Sequence, residues 1–312
     1  MQAVKRTEAG VEVVEVDDPE GGDEFVVVEV RSASLCGSDL HLVGYGPLPV
    51  VLGHEFAGVL DDGTPVAVDP GQPCGACPQC ASGLRHLCRN GFILGVSLDG
   101  GMAERVRVRR DGLVPLPAGL PVAHACLVEP LAVAVHGLEL AGIVGGERIA
   151  VVGAGSIGLA AVGVAAVAGA EVQLEARHPA QRAAGERLGA TGPPTGEYDV
   201  VVEAAGSQSA LDRAIELVRP GGLVMCVSTF WEGATMPGFD AAMKEVTLRW
   251  AYTYGHHAGG RDVDTAAALL ARRPEIADTL ITHRLPLAEA PEAFRVAADR
   301  AHGAIKVVLE PA

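Results

Sequence analysis

Ile149-Ala150-Val151-Val152-Gly153-Ala154-Gly155-Ser156-Ile157-Gly158 reads as a short apolar strand, a G-x-G-x-x-G turn and the start of an apolar helix. The glycine pattern carries little weight alone; its place directly after a strand and before a helix marks a dinucleotide-binding turn. Gly153 permits the tight turn, Gly155 lets backbone approach a pyrophosphate, and Gly158 allows the helix to pack closely on the strand. Ser156 and Ile157 open the helix, whose N-terminus attracts phosphate. Two readings compete: a Gly/Ala-rich packing helix, and a membrane span, since residues 149–170 carry no charge and are long enough to cross a bilayer. The small side chains and the strand-like start argue against the span.

Downstream, strands and helices alternate. Strand 171–175 is followed by helix 179–188, strand 198–204, helix 209–218, the turn Pro220-Gly221-Gly222, strand 223–228 and a last strand over 246–252. That succession predicts a doubly wound parallel sheet, with a helix over 264–272 leaving it. The second strand ends Leu174-Glu175-Ala176-Arg177-His178. An NAD site places an acid there, roughly twenty residues after the glycines, to hold the ribose 2'-hydroxyl. Here that position falls on Ala176, while Arg177 and His178 stand where a 2'-phosphate needs cations. Glu175 is one residue early, and strand alternation turns it to the other face. The expected cofactor is NADP, with NAD the alternative.

Upstream, the short strands Val11-Glu12-Val13-Val14 and Phe25-Val26-Val27-Val28 flank the turn-forming Asp17-Asp18-Pro19-Glu20-Gly21-Gly22, so the chain opens with an antiparallel β-rich domain. Cys36-Gly37-Ser38-Asp39-Leu40-His41 is placed on a loop at a strand end, where chemistry is commonly carried. Gly53-His54-Glu55-Phe56-Ala57-Gly58 adds a histidine and a carboxylate, and Glu129 precedes Pro130 where the chain turns Ala- and Val-rich at helical spacing. Taken singly, Cys36 reads as a small buried hydrophobe and His54 as a structural histidine.

The strongest local signal is Cys74-Gly75-Ala76-Cys77-Pro78-Gln79-Cys80 followed by Cys88, a C-x2-C-x2-C-x7-C pattern. Four thiolates so close in sequence can surround Zn2+ tetrahedrally and leave no open position, which makes the site structural. An iron–sulfur set would bring its fourth cysteine sooner and follow it with proline. Disulfides at this spacing would suit an extracellular protein rather than a reducing compartment. Residues 95–108 read as strands around the turn Asp99-Gly100-Gly101, and 114–117 as an extended link. Cys126 and Cys226 read as buried and inert.

A length of 312 residues predicts about two domains. The net charge of -15 and the lack of a Lys/Arg-rich block exclude a nucleic-acid partner and an anionic membrane surface. Met1 to Val16 alternates charged and apolar residues, unlike a signal peptide, so the cytoplasm is the expected location.

Six motifs now stand in order: Cys36-Gly37-Ser38-Asp39, Gly53-His54-Glu55, the four-cysteine lobe, Asp99-Gly100-Gly101, Glu129-Pro130-Leu131 and the dinucleotide turn. With them the whole chain resembles a zinc-dependent medium-chain dehydrogenase/reductase of the alcohol, polyol and threonine dehydrogenase type. The resemblance implies an α/β protein with a GroES-like β-rich catalytic domain over 1–129 and 256–312. A Rossmann domain over 130–255 interrupts it, with the active site in the cleft between. It implies two Zn2+ per chain, a small alcohol or carbonyl substrate, and a homodimer or homotetramer. Residue by residue, Cys36 and His54 match catalytic zinc ligands, Glu55 an acid that ligates or backs the metal, and Glu129 the last ligand position. Glu129 stands where liver-type alcohol dehydrogenases have cysteine and polyol enzymes have glutamate, which leans the resemblance toward polyols. Ser38 matches the hydroxyl that bonds the substrate oxygen, His41 a relay to solvent, and Lys306 a basic residue near the cofactor pyrophosphate.

The implied activity is hydride transfer between a secondary alcohol, or its carbonyl, and NADP(H). The alternatives are a zinc-free quinone or enone reductase of the same fold and a non-catalytic cofactor-binding protein. Tyr45, Leu48, Phe92, Phe230 and Trp231 are candidate pocket walls. The chain is short for the family, trimmed over 58–74, and tight between Cys36 and His54, so substrate class is not inherited with the resemblance.

Overall fold

The computed structural model describes residues 1–257 and 260–311. The chain divides into two units, Met1–Glu129 with the chain from Gly255 onward, and Pro130–Tyr254.

The first unit is built on the strand Phe25–Ser34. Its alternation buries Val28 and Val30 while Glu29 faces out, as a sheet with one packed face requires. It pairs antiparallel with Glu55–Val59, Arg105–Arg109 and Lys306–Glu310. The sheet runs on from Glu55–Val59 through Pro65–Val68 to Leu113–Pro115, and from Lys306–Glu310 to the parallel strand Ile281–Pro286. Val28, Val30, Leu52, Phe56, Met102, Val106, Val108 and Leu309 form its core. The expected link over 114–117 is in part this edge strand; its backbone pairs with Pro65–Val68, which alternation alone could not reveal in so short a run. The trimmed segment closes as a tight hairpin in which Leu60 N–H donates to Thr64 O at 2.9 Å and Gly63 N–H to Leu60 O at 2.8 Å.

The Asp99-Gly100-Gly101 turn clamps the approach to His54. Asp99 Oδ1 accepts from Val51 N–H at 2.7 Å, and Gly100 and Gly101 donate to Val51 O and Gly53 O at 2.9 and 2.8 Å. A Cβ on Gly100 would lie 2.2 Å from Gly53 O and one on Gly101 2.1 Å from the Phe56 ring, so both positions need glycine.

Asp69 shows a cost within this unit. Burial pushes its carboxyl up to about 6, against the Gly71 N–H it accepts and the attraction of Arg261 and Arg85. A folded pKa above the unfolded one means that the folded chain binds the extra proton, so this group's stability contribution falls as pH rises from about 4 to about 6. Asp69→Asn is therefore expected to gain on the order of 1 kcal/mol over the parent at pH 8 and little at pH 4. Denaturant melts of both proteins at the two pH values check this; an equal difference at both would refute it.

The second unit is a five-stranded parallel sheet in the spatial order Glu171–Glu175, Arg148–Val152, Tyr198–Glu203, Val218–Cys226, Thr247–Trp250. The helices Ser156–Val167, Pro179–Arg187 and Gln208–Leu217 connect the first four strands. The chain passes Arg148–Val152 on one side and then the other, which makes the carboxyl ends there a topological switch point, where ligands bind in such sheets. The usual six-stranded order has one more strand outside Glu171–Glu175. Here Thr191 N–H donates to Val172 O and Leu174 N–H to Gly192 O, both at 2.9 Å, so a short return of chain satisfies that edge instead. The Pro220-Gly221-Gly222 turn lies within the fourth strand rather than before it. No helix among the described residues is long and apolar enough to cross a membrane.

Candidate metal centre and cofactor site

The first correction concerns Cys36. The segment expected as a loop at a strand end is mostly helical: Cys36 is the N-cap of a six-residue helix, Gly37–Leu42, with only Leu35 and Cys36 between it and the strand Phe25–Ser34. Asp39 Oδ2 reaches back to accept from Cys36 N–H at 2.9 Å, the carboxylate half of a capping box. Asp39 is fully buried, and its other oxygen lies 3.4 Å from His54 Nδ1. His54 Nε2 is 3.3 Å from Ser38 Oγ. A carboxylate behind one ring nitrogen leaves the other available as a metal donor, the arrangement common around zinc-binding histidines. Asp39 was part of the quoted motif without a role; an acid three residues after the cap was the sequence signal for it.

Donor atoms of Cys36, His54 and Glu55 all lie within 4.8 Å of one another. Glu129, buried in the first turn of the helix Val128–Leu140, stands outside that set. Glu55 is fully buried, and both of its oxygens are engaged: Lys306 Nζ donates to Oε1 at 2.8 Å and to Oε2 at 2.7 Å, and Ser34 Oγ bonds Oε2. Lys306 also donates to Leu35 O at 3.1 Å. The expectation that Lys306 meets a cofactor pyrophosphate is thereby corrected. Its ammonium is inside the first unit at 1% exposure, where an unpaired charge would be costly, and Glu55 is its partner.

The electrostatics show an electronegative centre. Burial opposes charge on His54, but Asp39 and Cys36 outweigh it and hold the imidazole pKa well above its usual value. Burial likewise opposes the Lys306 charge, and Glu55, Cys36 and Glu129 raise it. A centre that favours the charged forms of His54 and Lys306, and is built from thiol, imidazole and carboxylate, has the donor chemistry of a zinc site.

The four-cysteine lobe fits Zn2+ on distances as well. Tetrahedral thiolates about 2.3 Å from zinc stand about 3.8 Å apart, whereas a disulfide closes to about 2.05 Å. Cys77 Sγ lies 3.5 Å from Cys80 Sγ and 3.7 Å from Cys88 Sγ, and all four donors fall within 4.8 Å of one another. The two remaining cysteines are buried, with thiols pushed up to about 11 at Cys126 and about 12 at Cys226, and are inert. His41 lies exposed on the helix of Ser38, three residues on, hence on the same face. Leu48 and Phe230 pack against the cores of their units, while Tyr45, Phe92 and Trp231 are exposed.

In the second unit Gly153 sits at φ 107°, and a Cβ there would lie 2.9 Å from the Ala205 Cβ. A Cβ on Gly158 would meet Gly153 O at 1.9 Å, so helix and turn touch only because both are glycine. Gly155 caps the helix Ser156–Val167, leaving Ser156, Ile157 and their neighbours to present free N–H groups. Sequence reading missed Glu203, the last residue of the neighbouring strand Tyr198–Glu203. It is buried at the switch point, its Oε1 accepts from Ala205 and Gly206 N–H at 2.8 Å each, and Ser228 Oγ bonds Oε2. Burial raises its pKa. At the end of the strand Glu171–Glu175, Arg177 is exposed, His178 caps the next helix, and the Arg182 guanidinium donates to Ala176 O and Arg177 O at 3.1 and 3.3 Å.

Residues 22–118 match the alcohol dehydrogenase GroES-like domain family, and residues 194–272 the zinc-binding dehydrogenase family. The chain is 31% identical to L-galactonate-5-dehydrogenase of Escherichia coli K12, over 88% of each chain. It is 33% identical to D-altritol 5-dehydrogenase of Agrobacterium fabrum, over 93% of this chain and 94% of that one. Among solved structures it is similar to a zinc-binding dehydrogenase of Sinorhizobium meliloti 1021 bound to NADP, with 31% identity, 99% coverage of both chains and a TM-score of 0.89.

Proposed function

Since the chain belongs to the zinc-type medium-chain dehydrogenase/reductases, we propose that it oxidises a secondary alcohol of a polyol-like substrate, or reduces the carbonyl, with NADP(H) as hydride partner. The observation that carries this reading is the convergence of Cys36 with the adjacent pair His54 and Glu55, from two segments of the chain, onto one electronegative centre. A zinc-free reductase or a plain binding protein has no use for that centre.

Cys36, His54 and a carboxylate would hold the catalytic Zn2+, which when bound supplies Lewis acidity toward the substrate oxygen. The ligating carboxylate in this reading is Glu129. Distance groups Glu55 with the other donors, but both Glu55 oxygens are committed to Lys306 and Ser34, so Glu55 supports from behind. Asp39 orients His54 through Nδ1. Ser38 Oγ accepts the proton leaving the substrate hydroxyl while its own hydroxyl proton is handed on, and His41, exposed on the same helix face, delivers a proton to water. Cys74, Cys77, Cys80 and Cys88 hold the second, structural zinc. The nucleotide turn Gly153–Gly158 takes the pyrophosphate, while Arg177 and His178 face the 2'-phosphate. NADP(H), when bound, supplies the hydride chemistry.

Four cysteines spaced to bind zinc as thiolates, rather than to form a disulfide framework, support a reducing, cytoplasmic setting. Exposed Trp250 and Tyr252 on and beside the terminal strand Thr247–Trp250 support a dimer or tetramer.

The test combines metal content with a substrate panel. The purified chain should carry about two zinc ions, and zinc-dependent turnover should appear with polyols and cyclic or amino alcohols, faster with NADP+ than with NAD+ at equal concentration. Undiminished oxidation by protein stripped of all zinc would refute the reading.

A further inference from the structure

We propose that Arg213 sets cofactor specificity by neutralising Glu175, which keeps the end of the strand Glu171–Glu175 receptive to an adenosine 2'-phosphate. The inference deepens the NADP(H) reading above and rests on it. Along this strand Val172 and Leu174 are buried on one face, and a Cβ on Gly185 of the helix Pro179–Arg187 would lie 2.3 Å from Leu174 Cδ2. Alternation therefore turns Glu175 to the opposite face. There the helix Gln208–Leu217 presents Arg213, whose Nε donates to Glu175 Oε2 at 2.8 Å. A second arm of the guanidinium meets Glu216 Oε2 at 2.8 Å, one helical turn on, which fixes the side chain in place. The pairing raises the Arg213 pKa, so the charge is permanent across the physiological range.

Position gives this pair its leverage. Glu175 O accepts from Gly153 N–H at 3.2 Å, so Glu175 is bonded directly to the nucleotide turn. It is also adjacent to Ala176, where an NAD site would carry its acid. The strand end thus has Arg177 on its turn and the Arg182 guanidinium reaching that turn from the next helix, beside the Glu175 carboxylate, whose charge would repel a phosphate dianion. Arg213 cancels that charge from the far face without touching the ligand. An unpaired Glu175 would act at a range where two charges near a surface still interact by about the thermal energy or more.

The experiment measures KM for NADPH and NADH, at low ionic strength, in four proteins: the parent, Arg213→Gln, Glu175→Gln and the double variant. Arg213→Gln should raise KM for NADPH roughly fivefold and leave that for NADH within about twofold, because only NADPH carries the 2'-phosphate. Glu175→Gln removes the strand-end carboxylate while Arg213 stays paired with Glu216, and should lower KM for NADPH roughly twofold to threefold, and the double variant should return near the parent. Arg213→Lys, which keeps the charge, should restore most of the NADPH affinity. Equal shifts for both cofactors, or no change in their ratio in either single variant, would overturn the proposal. Should Arg213→Gln fail to fold, Glu175→Gln decides alone by the direction of its NADPH shift. A parent enzyme with the lower KM for NADH would refute the NADP(H) reading. The change in the NADPH/NADH ratio on substitution would still report on Arg213 separately.

Discussion

Cys36→Ala should lower kcat/KM for alcohol oxidation about a thousandfold while the chain stays folded and keeps its structural zinc. The loss is large because a thiolate ligand goes and the centre can no longer hold Zn2+ firmly, so the substrate hydroxyl retains its ordinary acidity. The fold is spared for a local reason. Cys36 is half-buried, and the Asp39 carboxylate that ties the short helix to the strand bonds the backbone of residue 36, which alanine keeps. Steady-state kinetics, a thermal melt and metal analysis check the three parts together. The parent should carry about two zinc ions and the variant about one, held by the four-cysteine lobe. Near-parental turnover in the variant would end the zinc mechanism, and a collapsed melt would show that Cys36 carries structure instead.

The second large effect is on stability. Lys306→Met should destabilise the first unit by about 3–5 kcal/mol, because Glu55 would be left buried with only Ser34 and no counter-charge. Glu55→Gln in the same chain should recover most of that loss, since the paired removal leaves no buried net charge. Chemical denaturation of parent, single and double variants with excess zinc provides the measurement. A double variant as unstable as Lys306→Met would mean that the methionine spoils packing, and that the ion pair is not the cause. The expected pattern also separates the two carboxylates: a Glu55 that stabilises mainly through Lys306 supports the assignment of Glu129 as ligand.

Much of the centre was legible before any fold was known, because it is written in short-range spacing. The strand, turn and helix at Ile149–Gly158 declare themselves by local rules, as does the strand Glu171–Glu175 with its polar and apolar alternation. The four cysteines do the same, since a chelating loop brings its own ligands together. The Cys36 segment was misread as a loop because six residues form too short a helix to show a period. Asp99-Gly100-Gly101 was recognisable as a turn, but its purpose, closing on Val51–Gly53 to present His54, needs a partner some fifty residues away in sequence.

What the sequence by itself determined is the inventory: two kinds of unit, a dinucleotide turn lacking an acid at Ala176, a four-cysteine lobe, and the separate thiol, imidazole and carboxylate side chains proposed as donors to a catalytic metal. Tertiary structure alone decided which charges meet. Lys306 finds Glu55 across 251 residues because two distant strands flank Phe25–Ser34, and Arg213 finds Glu175 because a helix packs under a strand end. For Lys306 and Glu55, at 1% and 0% side-chain exposure, the physical reason is burial, whereas Arg213 and Glu175 are partly exposed and meet by packing geometry alone. Removed from water, a charge must find its opposite in space, and no spacing along the chain records where that opposite will be.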